Sequence, residues 1–530
     1  MTSLIRPLML GLVLLAVACQ PERPLPADTT PDEMAVTPPD LTVRGDYAPL
    51  DGRAPMTPAG INRLVLHSLE TTQAFHWANV DDYVAWSALV QSDSILSIGY
   101  QPADFVNLSA HIHEINVDAP EWRVVREALI DFIVAETNAR HPEQAVTAED
   151  LLAFGPSPLP YVNIRVSNYD ILAQLRRMDV VRYAEPMGYG IETVTRSGSG
   201  CGANTPDNNI PSSDFDVVSP GGKASWHHQP MNIAGAWASS TGDNITVGLI
   251  DTGLDPDQDK LNAGFATGQS TNRLRQSYST LVTGWWWWAS LDGPEDDCGH
   301  GSSMAGVIAA PLTSSGSAVG VAYEANLVSY RATEDVVING SNEKDGVSDA
   351  LYSLGFRNDV RIISMSIGDV FSSGQVTDAV QYAYNRGKLI FAAAGTSLSW
   401  TSWWGVIFPA NLPTTVAVTG IKTGSPMQRC DICHDGSAVD FVVEMQDRTL
   451  SSRLPITLAD QGNVPTRVGG SSVATATMAG VAALVWARNP SQSSSTVLQR
   501  LKDASQFYPS RSSSFGWGQV NAQAAVSAVQ

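Results

Sequence analysis

The chain has 530 residues, 43% of them hydrophobic and only 16% charged, with a formal net charge of −21. That length exceeds one ordinary domain, and the apolar content is ample for a large buried core, so the chain reads as a large globular part with further segments beside it. The acidic balance argues against a nucleic-acid partner and fits solubility outside the cytoplasm.

Arg6 precedes an apolar run over residues 8–17 that ends in Ala16-Val-Ala18 and Cys19. The run is too short to span a bilayer and reads as a signal peptide over residues 1–19. Its ending resembles a bacterial lipoprotein signal, in which Cys19 becomes the acylated first residue and anchors the chain to a lipid membrane. A plain secretory signal cut near Ala18 is the alternative, and either route leads to an oxidising compartment at the cell envelope or outside it. Residues 20–60, rich in Pro, Asp and Thr, read as an extended tether. Residues 61–190 mix strand-like and helix-like patches. Tyr161-Val-Asn-Ile-Arg-Val alternates as a strand does. Asp170-Ile-Leu-Ala-Gln-Leu-Arg-Arg-Met repeats its apolar residues three and four apart, and Val180-Val-Arg-Tyr-Ala-Glu is a second strand. His111 and His113 lie two apart in a strand-like stretch and so share a face. Residues 191–228, rich in Gly, Ser, Asn and Pro, read as a linker suited to cleavage, with His227 and His228 on its surface. Neither histidine pair is assigned a role.

From residue 229 onward, three segments each join a catalytic residue type to small residues: Asp251-Thr-Gly, His300-Gly-Ser-Ser-Met-Ala-Gly and Gly470-Ser-Ser472-Val-Ala-Thr. A serine hydroxyl is a poor nucleophile at neutral pH; it needs an imidazole to take its proton and a carboxylate to orient the imidazole. Val247 to Ile250 read as a buried parallel strand, which puts Asp251 at the strand's C-terminal edge. His300 and Ser472 each open an Ala-rich helix, so an oxyanion near Ser472 would meet free backbone N–H groups.

Through Val247-Gly-Leu-Ile-Asp251-Thr-Gly, His300-Gly-Ser-Ser-Met-Ala-Gly-Val-Ile-Ala-Ala310 and Gly470-Ser-Ser-Val-Ala-Thr-Ala-Thr-Met-Ala-Gly480, the chain resembles the subtilisin-like serine proteases. The resemblance runs from about Gln229 to the C-terminus, where Gly516-Trp-Gly-Gln-Val-Asn looks like the family's closing segment and no appended domain is expected. It implies an α/β fold: a subtilisin-like three-layer catalytic domain around a mostly parallel sheet, over residues 229–530. The strand-helix-strand ending of residues 61–190 looks like the family's inhibitory propeptide, a smaller α+β domain that the enzyme removes from itself. An unrelated small α+β domain is the alternative.

The implied activity is a serine endopeptidase acting on polypeptides through Asp251, His300 and Ser472. No cofactor is needed for its chemistry; calcium is common in the family, but no ligand cluster stands out. Gly320-Val-Ala-Tyr-Glu-Ala-Asn-Leu-Val and Ile363-Ser-Met-Ser-Ile-Gly368 resemble the substrate-flanking segments. Ser364, Met365, Ser366, Ile367 and Gly368, with Ala393, Ala394 and Gly395, look like pocket walls suited to an apolar or aromatic side chain. Two departures stand out. Thr396 occupies the place of the family's oxyanion asparagine, with Asn411 a substitute by sequence proximity, and Ala476 replaces a proline, which should loosen the helix entry slightly.

Four tryptophans in succession in Gly284-Trp-Trp-Trp-Trp-Ala289 cannot all point inward, so one or two should be exposed; with the cluster Trp400, Trp403, Trp404 they read as substrate or membrane contacts, with packing alone as the alternative. Cys201, Cys298, Cys430 and Cys433 are expected to form disulfides in one of three pairings. Cys430-Asp-Ile-Cys433-His434 spells a haem-attachment motif, but nothing downstream reads as a haem pocket, and it falls short of a zinc site. The rival readings are a catalytically weak relative that binds peptides and an envelope scaffold.

Overall fold

The computed structural model describes residues 38–191, 201, 204–284, 290–396 and 405–529. The expected signal peptide with Cys19, and the tryptophans at 285–288, 400, 403 and 404, lie outside the described residues. The described residues belong to the unit Pro38–Gln530.

Its N-terminal part opens with α1 (Pro58–Thr72), where the Thr57 side chain accepts the Gly60 N–H and Pro58 pre-sets the first turn. Next come α2 (Asp82–Val90), β1 (Ile95–Tyr100), α3 (Leu108–His111) and α4 (Pro120–Arg140). In α4 the buried Trp122, Val125, Leu129 and Ile133 recur three and four apart and form one inward stripe. After α5 (Ala148–Leu151), the strand-helix-strand pattern of the sequence is present as β2 (Tyr161–Arg165), α6 (Tyr169–Leu175) and β3 (Val181–Pro186). These strands form an antiparallel sheet in the order β2-β1-β3.

Three local expectations change here. His111 and His113 sit in a helical turn and a following 3-10 turn, not in a strand, and His111 Nδ1 lies 3.0 Å from Glu114 Oε2. A short patterned stretch does not separate the two periods. The second half of the tether is held down: Val43 bridges Met178, and Leu41, Tyr47 and Leu50 pack on the core. Within the expected linker, β4 (Phe215–Val218) and β5 (Gly222–Ser225) form a hairpin, and Arg467 pairs with Asp207 and Asp214. His227 and His228 are buried beside it rather than on the surface. Trp226 and Trp237 cover them, and His227 reaches Ser225 Oγ (2.8 Å) and Thr477 Oγ1 (3.1 Å).

The larger part begins with α7 (Ile233–Ala236), β6 (Thr246–Asp251), β7 (Arg275–Ser279) and the short pair β8 (Val282–Thr283) and β9 (Ser290–Leu291). There follow α8 (His300–Ala309), β10 (Asn326–Arg331), α9 (Ser341–Phe356), β11 (Val360–Met365), α10 (Gly374–Asn385), β12 (Leu389–Ala393), β13 (Val416–Lys422) and β14 (Phe441–Gln446). The chain closes with β15 (Ile456–Thr457), β16 (Thr466–Arg467), α11 (Gly470–Ala487), α12 (Ser494–Asp503) and α13 (Ala522–Ser527).

Seven of these strands form one sheet, β14-β13-β12-β11-β6-β10-β7, with every pairing parallel. A parallel sheet must be covered on both faces. Val247 and Leu249 of β6 pack with α8, α11, α12 and α13, whereas Ile250 joins the core under α9 and α10. This second core continues into the N-terminal part through Leu96, Ile98 and Leu172. The result is the expected three-layer α/β architecture, with the apolar helix α11 buried in it.

The N-terminal sheet docks on α9 and α10 through polar anchors. Arg182 forms a two-pronged pair with Asp378 (2.9 and 2.6 Å), Glu185 accepts the Gly374 N–H at the start of α10 (2.8 Å), and Lys344 Nζ donates to Met187 O (2.6 Å).

Candidate active site

β6 lies between β10 and β11, and its last residue, Asp251, is fully buried at the C-terminal edge of the sheet. Asp251 Oδ1 accepts the Thr252 N–H (2.9 Å) and lies 2.7 Å from His300 Nδ1. A carboxylate only accepts, so Nδ1 carries the proton and Nε2 is the basic nitrogen. His300 is the first residue of α8 and is only 3% exposed.

A second carboxylate sets the entry into that helix. Asp296 Oδ1 accepts from Thr252 Oγ1 (2.8 Å) and from the N–H groups of Cys298 (3.1 Å) and Gly299 (2.7 Å), and Oδ2 accepts from the Ser302 N–H and hydroxyl (both 2.8 Å). Thr252 Oγ1 in turn accepts the Gly301 N–H (2.9 Å). Asp296 therefore caps α8, where a negative charge complements the helix dipole, and ties the end of β6 to the helix that carries His300. Burial works against a charged His300, but the Asp251 charge and hydrogen bond, with smaller contributions from Asp296 and Asp335, hold its pKa above the ordinary histidine value. The Cys201–Cys298 disulfide fastens the expected linker two residues before His300.

Ser472 stands in the first turn of α11, where backbone N–H groups have no intrahelical partner. Its Oγ lies 3.5 Å from Ser366 O, while Ser366 Oγ donates to Ser472 O at 3.0 Å. Ser366 follows Met365, which is in register with Ile250, so the Ser472 anchor lies one strand, about 4.8 Å, from the Asp251 end of β6. Asp251, which holds His300, and the Ser366 anchor of Ser472 thus lie at the C-terminal ends of neighbouring strands. Among the described residues no hydrogen bond joins His300 to Ser472.

Thr396 sits beside this helix entry, but its hydroxyl is engaged with Ser471. It accepts the Ser471 N–H at 3.0 Å and shares a hydrogen bond with Ser471 Oγ at 2.7 Å. Gly470 makes that contact possible: its φ is +82°, and a Cβ there would come within 2.9 Å of Thr396 Oγ1. Ala476, expected at the helix entry, lies inside α11 and is fully buried. A proline at that interior position would remove a helical hydrogen bond, so Ala476 does not loosen the entry.

A small cavity of about 60 Å³ opens beside Ser472. Of the expected pocket residues, Ser366, Ile367, Gly368, Ala393 and Gly395 line it. Ser364 and Met365 are core residues of β11, and Ala394 is fully buried, donating its N–H to Val418 O. Gly320-Val-Ala-Tyr-Glu-Ala-Asn-Leu-Val does not flank the cavity, because it leads into the start of β10, the opposite end from Asp251. Val336 and Val337, beyond the C-terminal end of β10, take that place, and backbone bonds from Gly368 N to Val336 O (3.0 Å) and Ile338 N to Gly368 O (3.2 Å) join the two edges. Asn411 lines a different cavity, with Arg182 and Asp378, so the expected substitute donor is not at the site.

Besides Val336 and Val337, the residues that escaped the sequence pattern include Asp296, Asp369 and His434. Asp296, four residues before His300, was legible only as an acid near a helix start. Asp369, the residue after the expected wall segment, lines the cavity and faces Lys344 at 3.6 Å; burial, partly offset by Lys344, pushes its carboxyl up to about 6. His434 was visible in Cys430-Asp-Ile-Cys433-His434, but as a ligand rather than a wall. Cys430 and Cys433 are joined to each other, and His434 lies at the cavity. Among the described residues no group of three or more His, Cys, Asp or Glu side chains could hold a metal ion.

Residues 242–518, more than half of the chain, match the model of the subtilase family of peptidases. Subtilisin E of Bacillus subtilis (strain 168) is 29% identical over 285 residues, covering 54% of this chain and 66% of that protein. Subtilisin of Bacillus pumilus is also 29% identical over 285 residues, covering 54% of this chain and 92% of that one. Minor extracellular protease Epr of Bacillus subtilis (strain 168) is 31% identical over 237 residues, covering 43% of this chain and 32% of Epr. The chain therefore spans just under two thirds of Subtilisin E and a third of Epr. On the family match and the parallel-sheet architecture together, this protein belongs to the subtilase family of serine proteases.

Proposed function

We propose that the protein is a secreted or envelope-anchored serine endopeptidase that hydrolyses peptide bonds through Asp251, His300 and Ser472. The observation that carries this reading is the buried Asp251–His300 pair one strand away from Ser472. His300 Nε2 takes the Ser472 proton as the hydroxyl attacks the scissile carbonyl, then returns it to the leaving amine, and an acyl-enzyme is left for water to hydrolyse. Asp251 keeps the proton on Nδ1 and stabilises the imidazolium. The oxyanion develops at the start of α11, where the Ser472 N–H and the positive end of the helix face it. None of these steps calls for a metal or cofactor.

The N-terminal α+β part, with its anchors on α9 and α10, is read as an inhibitory propeptide that the enzyme removes by cutting between it and the peptidase domain. The two disulfides and the extracellular relative favour an oxidising location. Cys19 would be the lipid anchor of the precursor, and a Cys19→Ala precursor should then leave the membrane fraction.

Labelling with a fluorophosphonate, together with chain masses of the wild type and Ser472→Ala, tests the reading. Label on Ser472 and processing lost in Ser472→Ala are expected; equal processing of both chains would remove self-cleavage. The engagement of Thr396 with Ser471 favours one second reading, a catalytically weak relative that binds peptides. An unlabelled Ser472 in a correctly folded chain would favour it.

A further inference from the structure

We infer that the cavity beside Ser472 favours a small side chain before the scissile bond, and that His434 is the residue that sets this limit. The inference rests on the peptidase reading and names its substrate class: peptides with Ala, Ser, Thr or Val at that position rather than Phe, Tyr, Lys or Arg.

Size comes first. The space open beside Ser472 is small, about 60 Å³. Pockets that enclose a whole drug-sized ligand run to roughly 300–1,000 Å³.

The walls explain why the space is small. Gly368 and Gly395 stand on opposite walls and bring no side chains of their own, but the room behind each is taken. A Cβ on Gly368 would lie 2.8 Å from Ile407 Cδ1 and 2.7 Å from Phe408 O. A Cβ on Gly395 would lie 2.7 Å from His434 Nδ1 and 2.8 Å from its Cγ, so the imidazole rests directly against the Gly395 backbone. Bare glycine walls alone would have left a deep slot.

The imidazole is also fixed in place. The His434 N–H donates to Gly395 O (3.0 Å), its Nδ1 donates to Gly405 O (2.7 Å), and its carbonyl accepts from Thr419 Oγ1. The Cys430–Cys433 disulfide closes the loop immediately before it, and Cys433 pairs with Thr396 across the cavity rim. Burial, only partly opposed by the bond to Gly405, brings the His434 pKa down to about 4. The ring therefore stays neutral at the working pH of a serine peptidase and has no charge to draw it out to solvent. The Cys-x-x-Cys-His motif is thus a brace that holds one wall of the subsite.

The full chain, expressed and left to process itself, is assayed on one peptide series that differs only in the residue before the scissile bond. The expected kcat/KM for Ala or Val is at least tenfold above that for Phe. His434→Ala should move the Phe-to-Ala ratio at least tenfold towards Phe, and Ile407→Ala, acting from the other wall, should move it the same way if the histidine variant does not fold. An active wild type that prefers Phe overturns the inference, and so does an unchanged ratio in both variants. Absence of hydrolysis on every peptide, with no fluorophosphonate label on Ser472, is a different outcome: it removes the peptidase reading itself.

Discussion

The two halves of the site are built to different standards of order. On the Asp251 and His300 side the ties are to carboxylates: Asp251 holds His300, and Asp296 holds Thr252, Cys298, Gly299 and Ser302. On the Ser472 side the ties are between hydroxyls and backbone groups, Ser366 with Ser472 and Thr396 with Ser471. Charge-assisted hydrogen bonds are roughly twice as strong as neutral ones, so the base half is preorganised and the nucleophile half is held more lightly. The difference teaches that Thr396, in this arrangement, secures the entry of α11 rather than standing free for an oxyanion.

Breaking either half at its centre should have the largest effect. Ser472→Ala should lower kcat by about five to six orders of magnitude, and Asp251→Asn by about four, because the asparagine favours the wrong tautomer of His300. Peptide hydrolysis with active-site titration measures both, and Asp251→Asn should still fold.

Asp296→Asn sharpens the comparison on the base side. It should cost about tenfold to a hundredfold in kcat. It should also lower the His300 pKa, since the field that raises it is weakened. The base must be neutral to act, so the acid limb of kcat/KM, expected above the ordinary histidine value in the wild type, should move to lower pH in the variant. A variant that loses stability without moving that limb would assign Asp296 a purely structural part.

Thr396→Val does the same for the nucleophile side. If Thr396 secures the helix entry, the variant loses about 1 kcal/mol of stability and less than tenfold in kcat. A loss of a hundredfold to a thousandfold would mark Thr396 as an oxyanion donor instead. Thr396→Asn is the companion measurement.

The smallest effect concerns the docking of the N-terminal part. Burial pushes the Glu185 carboxyl up to about 7, against the lowering influence of the Gly374 N–H and Lys344, from an ordinary 4.5. A raised pKa in the folded state means that this stability is present below about 4.5 and lost as pH rises through about 7. After allowance for partial exposure, the loss is about 1–2 kcal/mol. Melting of the Ser472→Ala chain at pH 5 and pH 8 should show it, and Glu185→Gln should flatten the dependence. A steeper dependence in that variant would point to other groups, such as Asp345.

The sequence by itself determined the local chemistry. A buried apolar run stopped by Asp-Thr-Gly, and two Ala-rich segments opened by His300 and Ser472, are patterns that near-neighbour physics enforces, and β6, α8 and α11 follow them. The strand-helix-strand run over residues 161–185 was legible for the same reason. What only the tertiary structure decided depends on residues far apart in the chain. Cavity size is set by Gly368, Gly395, Ile407 and His434 meeting from separate loops. The four cysteines pair as Cys201 with Cys298 and Cys430 with Cys433, which spacing left open. The hydroxyl of Thr396 is directed to Ser471, 75 positions away in sequence. His227 and His228, polar and next to a Gly-rich stretch, are buried because Trp226, Trp237 and Thr477 surround them. Residue type and spacing report what a segment can do locally, whereas the volume of a pocket and the partner of a hydroxyl belong to whichever distant surfaces the folded sheet brings together.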